Sequence, residues 1–368
     1  MLKVEQAQKT GIRIQSVPVP CGRVIAMSDV HGHARYLRGV LEKLRLTADD
    51  ALVIVGDLLE KGPENLSTLR EVMRLKQTMP VYWVMGNCDP VTEELLDPAC
   101  EQGVRNWIEM SPKRIFREMM AEAGMDLQAL CDMDAFRRAL QTRFAPELMF
   151  MRALPHVLRM GRYTFVHGGI TDAPLETQSP YSVMKNDRYL EKGYAFDSWV
   201  VVGHWPTQLL NRIGQACSPH VERERRIVSI DGGCVLKDAG QLNAMVIPDA
   251  NADHFSFESY DGLETFVATH AQAEKPPTVS ILYMDCAVDV LERGGELCTV
   301  RLKSSGQIVH APSVLLYRRG DEWRLDDYTD YELPVRPGDV LKKVYVLEEG
   351  VYAKDAQGRV GWYRKKQG

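Results

Sequence analysis

The stretch Val24-Ile-Ala-Met-Ser-Asp-Val-His-Gly-His33 sets a pattern that returns four more times along the chain. An apolar run of four residues stops abruptly at small and polar ones. The later islands are ALVIVGDLLEKGP (51–63), VYWVMGNCD (81–89), YTFVHGG (163–169) and WVVVGHWPT (199–207). A short apolar run bounded by Gly reads as a buried strand. A polar residue just past its C-terminal end points into the crevice where α/β sheets bind their ligands. The five islands deliver Asp29, His31, Asp57, Asn87, His167 and His204 in order.

These residue types suit a pair of metal ions. Cleaving a phosphate ester requires a nucleophile made from water near neutral pH and cations on the phosphoryl oxygens, and two ions roughly 3.5–4 Å apart supply both. Mixed imidazole and carboxylate donors suit Mn or Fe, with Zn as a further candidate. Asp57 is the natural bridge, one oxygen to each ion. Asp29 and His31 read as alternating along an extended segment around Val30, so that both reach one ion. Asn87 offers a neutral amide oxygen, and His167 and His204 complete the second ion's shell.

Together SDVHGH, GDLLEKGP, GNCD, LPHVLRMGRYTFVHGG, VVGHWPT and IDGGCVLKDAGQLNAMVI resemble the calcineurin-like metallophosphoesterase superfamily, from about Val24 to Ile247. Within it they are most similar to the serine/threonine phosphoprotein phosphatase branch and its bacterial members. The resemblance implies that the six residues bind the metals. It implies an α/β (α+β) fold, a four-layer β-sandwich flanked by helices. It also implies hydrolysis by a metal-activated hydroxide attacking phosphorus.

Two positions depart from that branch. Where it carries D-x-x-D-R-G, this chain has Asp57-Leu-Leu-Glu60-Lys61-Gly62; where it carries G-N-H-E or G-N-H-D, this chain has Gly86-Asn87-Cys88-Asp89. In the family the His of that motif protonates the leaving oxygen and the acidic residue orients it, so the resemblance puts Cys88 and Glu60 in those catalytic places beside Asp57. A thiol has an ordinary pKa of about 8.5 and is a weak hydrogen-bond donor. G-N-C-D also occurs in small bacterial phosphodiesterases of the superfamily, which keeps phosphoester hydrolysis and loosens the link to phosphoproteins. Lys61 can hold a phosphate as a point charge, without the fork of Arg. Asn87, His33 and Arg188 are further candidates for contact with the phosphoryl group, Arg188 because it lies between the two His islands, where the family places a phosphate-gripping Arg.

Length and composition fit this reading. The 368 residues give a soft expectation of two domains. Hydrophobic residues make up 45% and charged residues 26%, ordinary for a globular protein. A net charge of −5 argues against non-specific nucleic-acid binding. No secretory signal and no long apolar span is evident, so a cytoplasmic location with eight reduced cysteines is expected.

Residues 1–250 form the expected catalytic domain, with 1–23 an edge strand or arm, helices between the first islands, and a Met-rich helical layer over 91–153. Residues 251–276 read as a helix or irregular connection, and 277–368 as an all-β, barrel-like domain similar to bacterial SH3-like modules. Such a domain is a candidate dock for a protein or peptide. His156 and Asp231 read as structural, and His220, His254, His270 and His310 as surface or packing residues. The expected activity is that of a serine/threonine-phosphatase-like hydrolase. The alternatives are a phosphatase or phosphodiesterase for nucleotides and other small phosphoesters, or a metal-binding interaction protein of low activity.

Overall fold

A computed structural model of the chain describes residues 11–210 and 213–366. Part of the expected N-terminal arm, residues 1–10, lies outside them. The chain forms two compact units. The first ends at Asp261 and lacks two segments, Pro206–Ser218 and Lys237–Ala239, which pack with the unit that resumes at Gly262.

The first unit is a sandwich of two sheets. Strands β2 (Val24–Met27), β3 (Ala51–Val55) and β4 (Val81–Val84) run parallel, with Val24 opposite Ala51 and Leu52 opposite Val81. Helices α1 (Ala34–Leu44) and α2 (Asn65–Leu75) make the crossovers. The second begins at Asn65, two residues past Pro63. Each buries a stripe at helical spacing: Leu37, Val40 and Leu44 in α1, Leu66, Leu69 and Val72 in α2. The strands are buried on both faces, as parallel strands require. In β2, Ile25 and Met27 face the helices while Val24 and Ala26 face the second sheet. That sheet holds, in order, β1 (Ile14–Ser16), β5 (Val157–Met160), β6 (Tyr163–Val166), β7 (Trp199–Val202), β9 (Ile227–Ser229) and β8 (His220–Glu222). Leu158, Phe165, Trp199 and Val201 fill the inter-sheet core.

The 91–153 region is helical: α3 (Val91–Leu96), α4 (Glu101–Glu109), α5 (Ile115–Glu122), α6 (Met133–Arg143) and α7 (Ala145–Phe150). Its methionines Met119, Met120 and Met133 join Phe116 and Phe136 in the core that lies on the helix side of the first sheet. Residues 251–276 contain no helix. Strand β11 (Ser256–Tyr260) pairs antiparallel with β10 (Leu242–Ile247), which itself pairs with β2. The alternation S-F-E-S-Y has a strand period, and Phe257 packs on the inter-sheet core while Tyr260 packs on the opposite one.

The second unit is all-β. It contains a four-stranded sheet of β12 (Thr265–Val267), β20 (Val340–Leu347), β21 (Gly350–Lys354) and β22 (Val360–Arg364). A pair joins β13 (Ser280–Ile281) to β19 (Tyr328–Thr329). A five-stranded sheet runs β16 (Ile308–Pro312), β15 (Leu297–Leu302), β14 (Ala287–Arg293), β18 (Glu322–Leu325) and β17 (Leu316–Arg319). Tyr328, Tyr352 and Trp362 centre its core. Hydrogen bonds to the carbonyls of later residues explain why residues 206–218 belong here. The Gln215 amide donates to the carbonyls of Ile281 (3.0 Å) and Tyr328 (3.1 Å), and the Cys217 N–H donates to Gly358 (3.1 Å). None of the eight cysteines is in a disulfide. Among the described residues no helix is long and apolar enough to cross a membrane.

Candidate metal centre

Each island leaves its strand through an abrupt turn. Asp29, His31, Asp57 and His204 all have left-handed backbone, with φ of 55°, 49°, 50° and 68°. Non-Gly residues held there cost about 1–3 kcal/mol each, and such strain gathers at functional sites. The segment around Val30 is therefore not extended, as the sequence suggested: β2 stops at Met27 and the chain turns at both polar residues. Bonds between islands hold the turns. The Asp29 N–H donates to the Gly56 carbonyl (3.1 Å), the His31 N–H to that of Asp57 (3.0 Å), and the His204 N–H to Asp29 Oδ2 (3.0 Å). The crowding demands glycine at two positions. A Cβ at Gly56 would sit 2.5 Å from His167 Nδ1, and one at Gly86 would sit 2.3 Å from Asp57 Oδ1.

The turns converge on Asp57, which is buried. Its Oδ1 faces His167 Nε2 at 3.5 Å and its Oδ2 faces His31 Nε2 at 3.8 Å. Asp29 Oδ1 lies 3.6 Å from His31 Nε2. Donor atoms of Asp29, Asp57 and His167 gather within 4.8 Å of one another, and so do those of His31, Asp57 and Cys88. Burial alone would raise the Asp57 carboxyl, but His167, Lys61 and His31 hold it well below the usual carboxylate range. His31 is pushed down to about 4 by burial and by Lys61.

The donor set fits metal ions. His31 and His167 are tied through Nδ1 to the carbonyls of Leu59 (3.3 Å) and Val55 (2.8 Å), which leaves both Nε2 atoms facing Asp57. His167 Nε2 and Asn87 Oδ1 are buried with no hydrogen-bond partner. Polar atoms in that condition are costly unless something binds them. His204 turns Nε2 to Asp187 Oδ1 at 2.7 Å and keeps Nδ1 to offer.

The remaining candidates separate into those that join the cluster and those that do not. Lys61, on left-handed backbone with φ of 71°, places Nζ 3.2 Å from His31 Nε2 and 3.9 Å from Asp57 Oδ2. Cys88 donates its N–H to Asp57 Oδ1 (2.8 Å), and its sulfur receives the Asn87 amide (3.3 Å). Burial, with Asp57 beside it, pushes the thiol well above its ordinary range. His33 stacks on Tyr36 at 4.0 Å, with Nδ1 3.7 Å from Glu64. Two expectations fail. Arg188 turns away to Glu191 (2.8 Å) and its side chain is 54% exposed. Glu60 does not orient Cys88. Its carboxylate accepts from the Ile115 N–H (3.0 Å) and from Arg114 (3.2 Å), and burial raises it to about 8 against those two bonds.

Two residues escaped the sequence reading. Asp89 Oδ2 accepts from the N–H groups of Asp57 (2.8 Å) and Gly86 (2.7 Å) and from the Trp83 indole (3.2 Å), fixing two islands at once. Its place at the end of G-N-C-D was the available signal. Asp187 holds His204 and stands beside Arg188, whose charge drew the attention instead. His156 and Asp231 are buried and bonded to backbone, through Arg13 (2.9 Å) and Gly233 (2.8 Å).

Residues 22–228 match the family described as calcineurin-like phosphoesterase. The chain is 32% identical over 151 residues to the symmetrical bis(5'-nucleosyl)-tetraphosphatase of Methylococcus capsulatus, a match covering 41% of this chain and only 44% of that protein. It is 24% identical over 269 residues to the protein of the same name from a Janthinobacterium species, covering 61% of this chain and 92% of the relative. A serine/threonine phosphatase structure from Saccharomyces cerevisiae superposes with a TM-score of 0.42 at 10% identity, over 74% of this chain and 89% of that one. With more than half of its length inside the family match, the chain belongs to the calcineurin-like phosphoesterases.

Proposed function

We propose that the chain is a dinuclear metal-dependent hydrolase whose preferred substrates are nucleotides joined through phosphoanhydride links, dinucleoside polyphosphates among them. In this reading Asp29, His31, Asp57, Asn87, His167 and His204 hold the ions, Mn or Fe first and Zn as a third choice. Such ions supply a nucleophile made from water and neutralise the phosphoryl oxygens. Lys61 grips the phosphoryl group by charge, and Asn87, its amide oxygen kept for an ion, offers the phosphoryl group its NH2 donor.

The observation that carries the substrate choice is Cys88. Hydrolysis adds water across a P–O bond, and the departing oxygen keeps the bonding pair. A serine or threonine alkoxide is nearly as basic as hydroxide, whose parent acid has a pKa of roughly 15.7, so it departs well only with a proton in hand. A departing phosphate, with a last ionisation near about 6, needs none. The family's imidazole is replaced here by a weakly donating thiol, and Glu60, the other half of that pair, is committed to Arg114 and Ile115. The names of the relatives agree with this preference.

The test is the ratio of kcat/KM for diadenosine tetraphosphate to that for a phosphoserine peptide, in metal-loaded wild type and Cys88→His. General acid help is typically about 10²–10⁴-fold. The wild-type ratio is expected to be of that order, and Cys88→His is expected to raise phosphoserine turnover selectively. A phosphoserine peptide hydrolysed as well as the nucleotide, and unaffected by Cys88→His, would sink the reading. Nitrophenyl phosphate, whose leaving group also needs no proton, should behave like the nucleotide.

A further inference from the structure

We propose that Arg114, acting through Glu60, is a positioning residue for Lys61, so that the helical insertion holds the phosphate-gripping ammonium in place. The inference rests on the role of Lys61 proposed above. The first observation is the backbone: Glu60 and Lys61 are consecutive and both left-handed, with φ of 76° and 71°. Long side chains seldom adopt that conformation, and two in succession persist only where surrounding structure imposes them.

The second observation is what imposes them. The Lys61 N–H donates to the Lys113 carbonyl at 3.2 Å. The Glu60 carboxylate is 1% exposed, and its two oxygens accept separately from the Ile115 N–H and the Arg114 guanidinium. That guanidinium lies 4.6 Å from the Trp107 ring centroid, which fixes its plane. Residues 113–115, within the inserted 91–153 region, thus grip both members of the turn, and from the turn's own side the Glu60 N–H donates to Asn65 Oδ1 at 2.5 Å.

The third observation is where the turn leads. Lys61 Nζ reaches 3.2 Å from His31 Nε2, among the candidate ligands. Charge-assisted contacts of this kind depend on placement, and a displacement of about 1 Å can cost on the order of 10²-fold. Released from residues 113–115, the Glu60-Lys61 turn would relax toward ordinary backbone and the ammonium would leave that position. This also accounts for a buried Glu where the family's acidic residue serves a histidine: in this chain the carboxylate serves an arginine.

The experiment measures the inhibition constant of inorganic phosphate, with kcat and KM for nitrophenyl phosphate, in the full-length metal-loaded protein. The variants are Lys61→Ala, Arg114→Met, Arg114→Lys, the isosteric Glu60→Gln, and Lys61→Ala combined with Arg114→Met. Metal content and Tm are read for each. Arg114→Met and Glu60→Gln are expected to weaken phosphate binding about tenfold with metal content unchanged, and Arg114→Lys to recover most of the loss. In the Lys61→Ala background Arg114→Met should cost nothing further, because residues acting through one another are not additive. Equal losses in both backgrounds, or an unchanged phosphate constant in Arg114→Met and Glu60→Gln, would overturn the inference. An unchanged constant in Lys61→Ala would overturn the role of Lys61 itself, and the inference with it.

Discussion

Asp57 and Asp327 are both buried aspartates, 1% and 6% exposed, in different units of the chain. Around Asp327 the counter-charge is in place: the Lys237 ammonium, on a side chain only 8% exposed, pairs with it directly, and its backbone is not left-handed. Around Asp57 the counter-charges stand off. Three basic side chains stand 3.5–3.9 Å off, none in hydrogen-bond contact. The backbone is strained, and His167 Nε2 and Asn87 Oδ1 nearby have no partner. A buried charge that meets its counter-charge is structure. A buried charge among strained turns and unpartnered ligand atoms is arranged to hold a cation.

Substitution should break the two sites in different currencies. Asp57→Asn is expected to lower kcat/KM by roughly a thousandfold or more and to reduce metal content, since an amide cannot bridge two cations. Turnover and elemental analysis check it; near-full activity with full metal content would remove Asp57 from the bridge. Asp327→Asn is expected to leave the metal content and kcat of the folded protein alone. It should lower stability by about 3–5 kcal/mol, the scale for stranding one member of a buried ion pair, read as a shift in the urea unfolding midpoint. Unchanged stability there would show that the Lys237 charge finds water.

How much of this was legible in the sequence follows from the same contrast. The strand period and the polar stop at each island are local, so VIAMSDVHGH and its four echoes announced buried strands with polar residues at their ends, three of them in one sheet and two in the other. The turns themselves were not legible. Asp29 and His31 are bent by bonds to Gly56 and Asp57, more than twenty residues on, and nothing between Met27 and Gly32 announces this. The partners of Glu60 are hidden for a similar reason. Its motif suggested a neighbour in the site, while its partners Arg114 and Ile115 arrive from an insertion 54 and 55 residues away. Arg188 was selected by position between two islands, and its charge is used locally by Glu191. The region after Ala250 lacked motifs, and only strand alternation was available there. The segments 206–218 and 237–239 gave no hint that they pack with the later strands, because what commits them is long-range hydrogen bonding such as that of the Gln215 side-chain amide and the Cys217 N–H.

The smallest expected effect sharpens the contrast within the first unit, where one histidine, like Asp327, has its partner in place. His156 Nδ1 accepts the Arg13 N–H at 2.9 Å, and its own N–H donates back to the Arg13 carbonyl at 2.8 Å, pinning the edge strand β1 to β5. Accepting through Nδ1 requires the neutral ring. Burial, and then the Arg13 charge, push its pKa down to about 4, against about 6.5 for an unfolded histidine. The unfolded chain therefore binds a proton between pH 6.5 and 4 that the folded chain refuses. By linkage this contribution is fully present above about 6.5 and falls away as pH drops toward about 4. The loss is about 3 kcal/mol at most, the scale of a shift of that size. Unfolding free energy measured from pH 7 to pH 4 in wild type and His156→Gln isolates it. Gln offers an acceptor that does not titrate, so the variant should lose less stability across this window than the wild type. Parallel curves would show that the ring is protonated in the folded protein and that the Arg13 bond is not what holds β1.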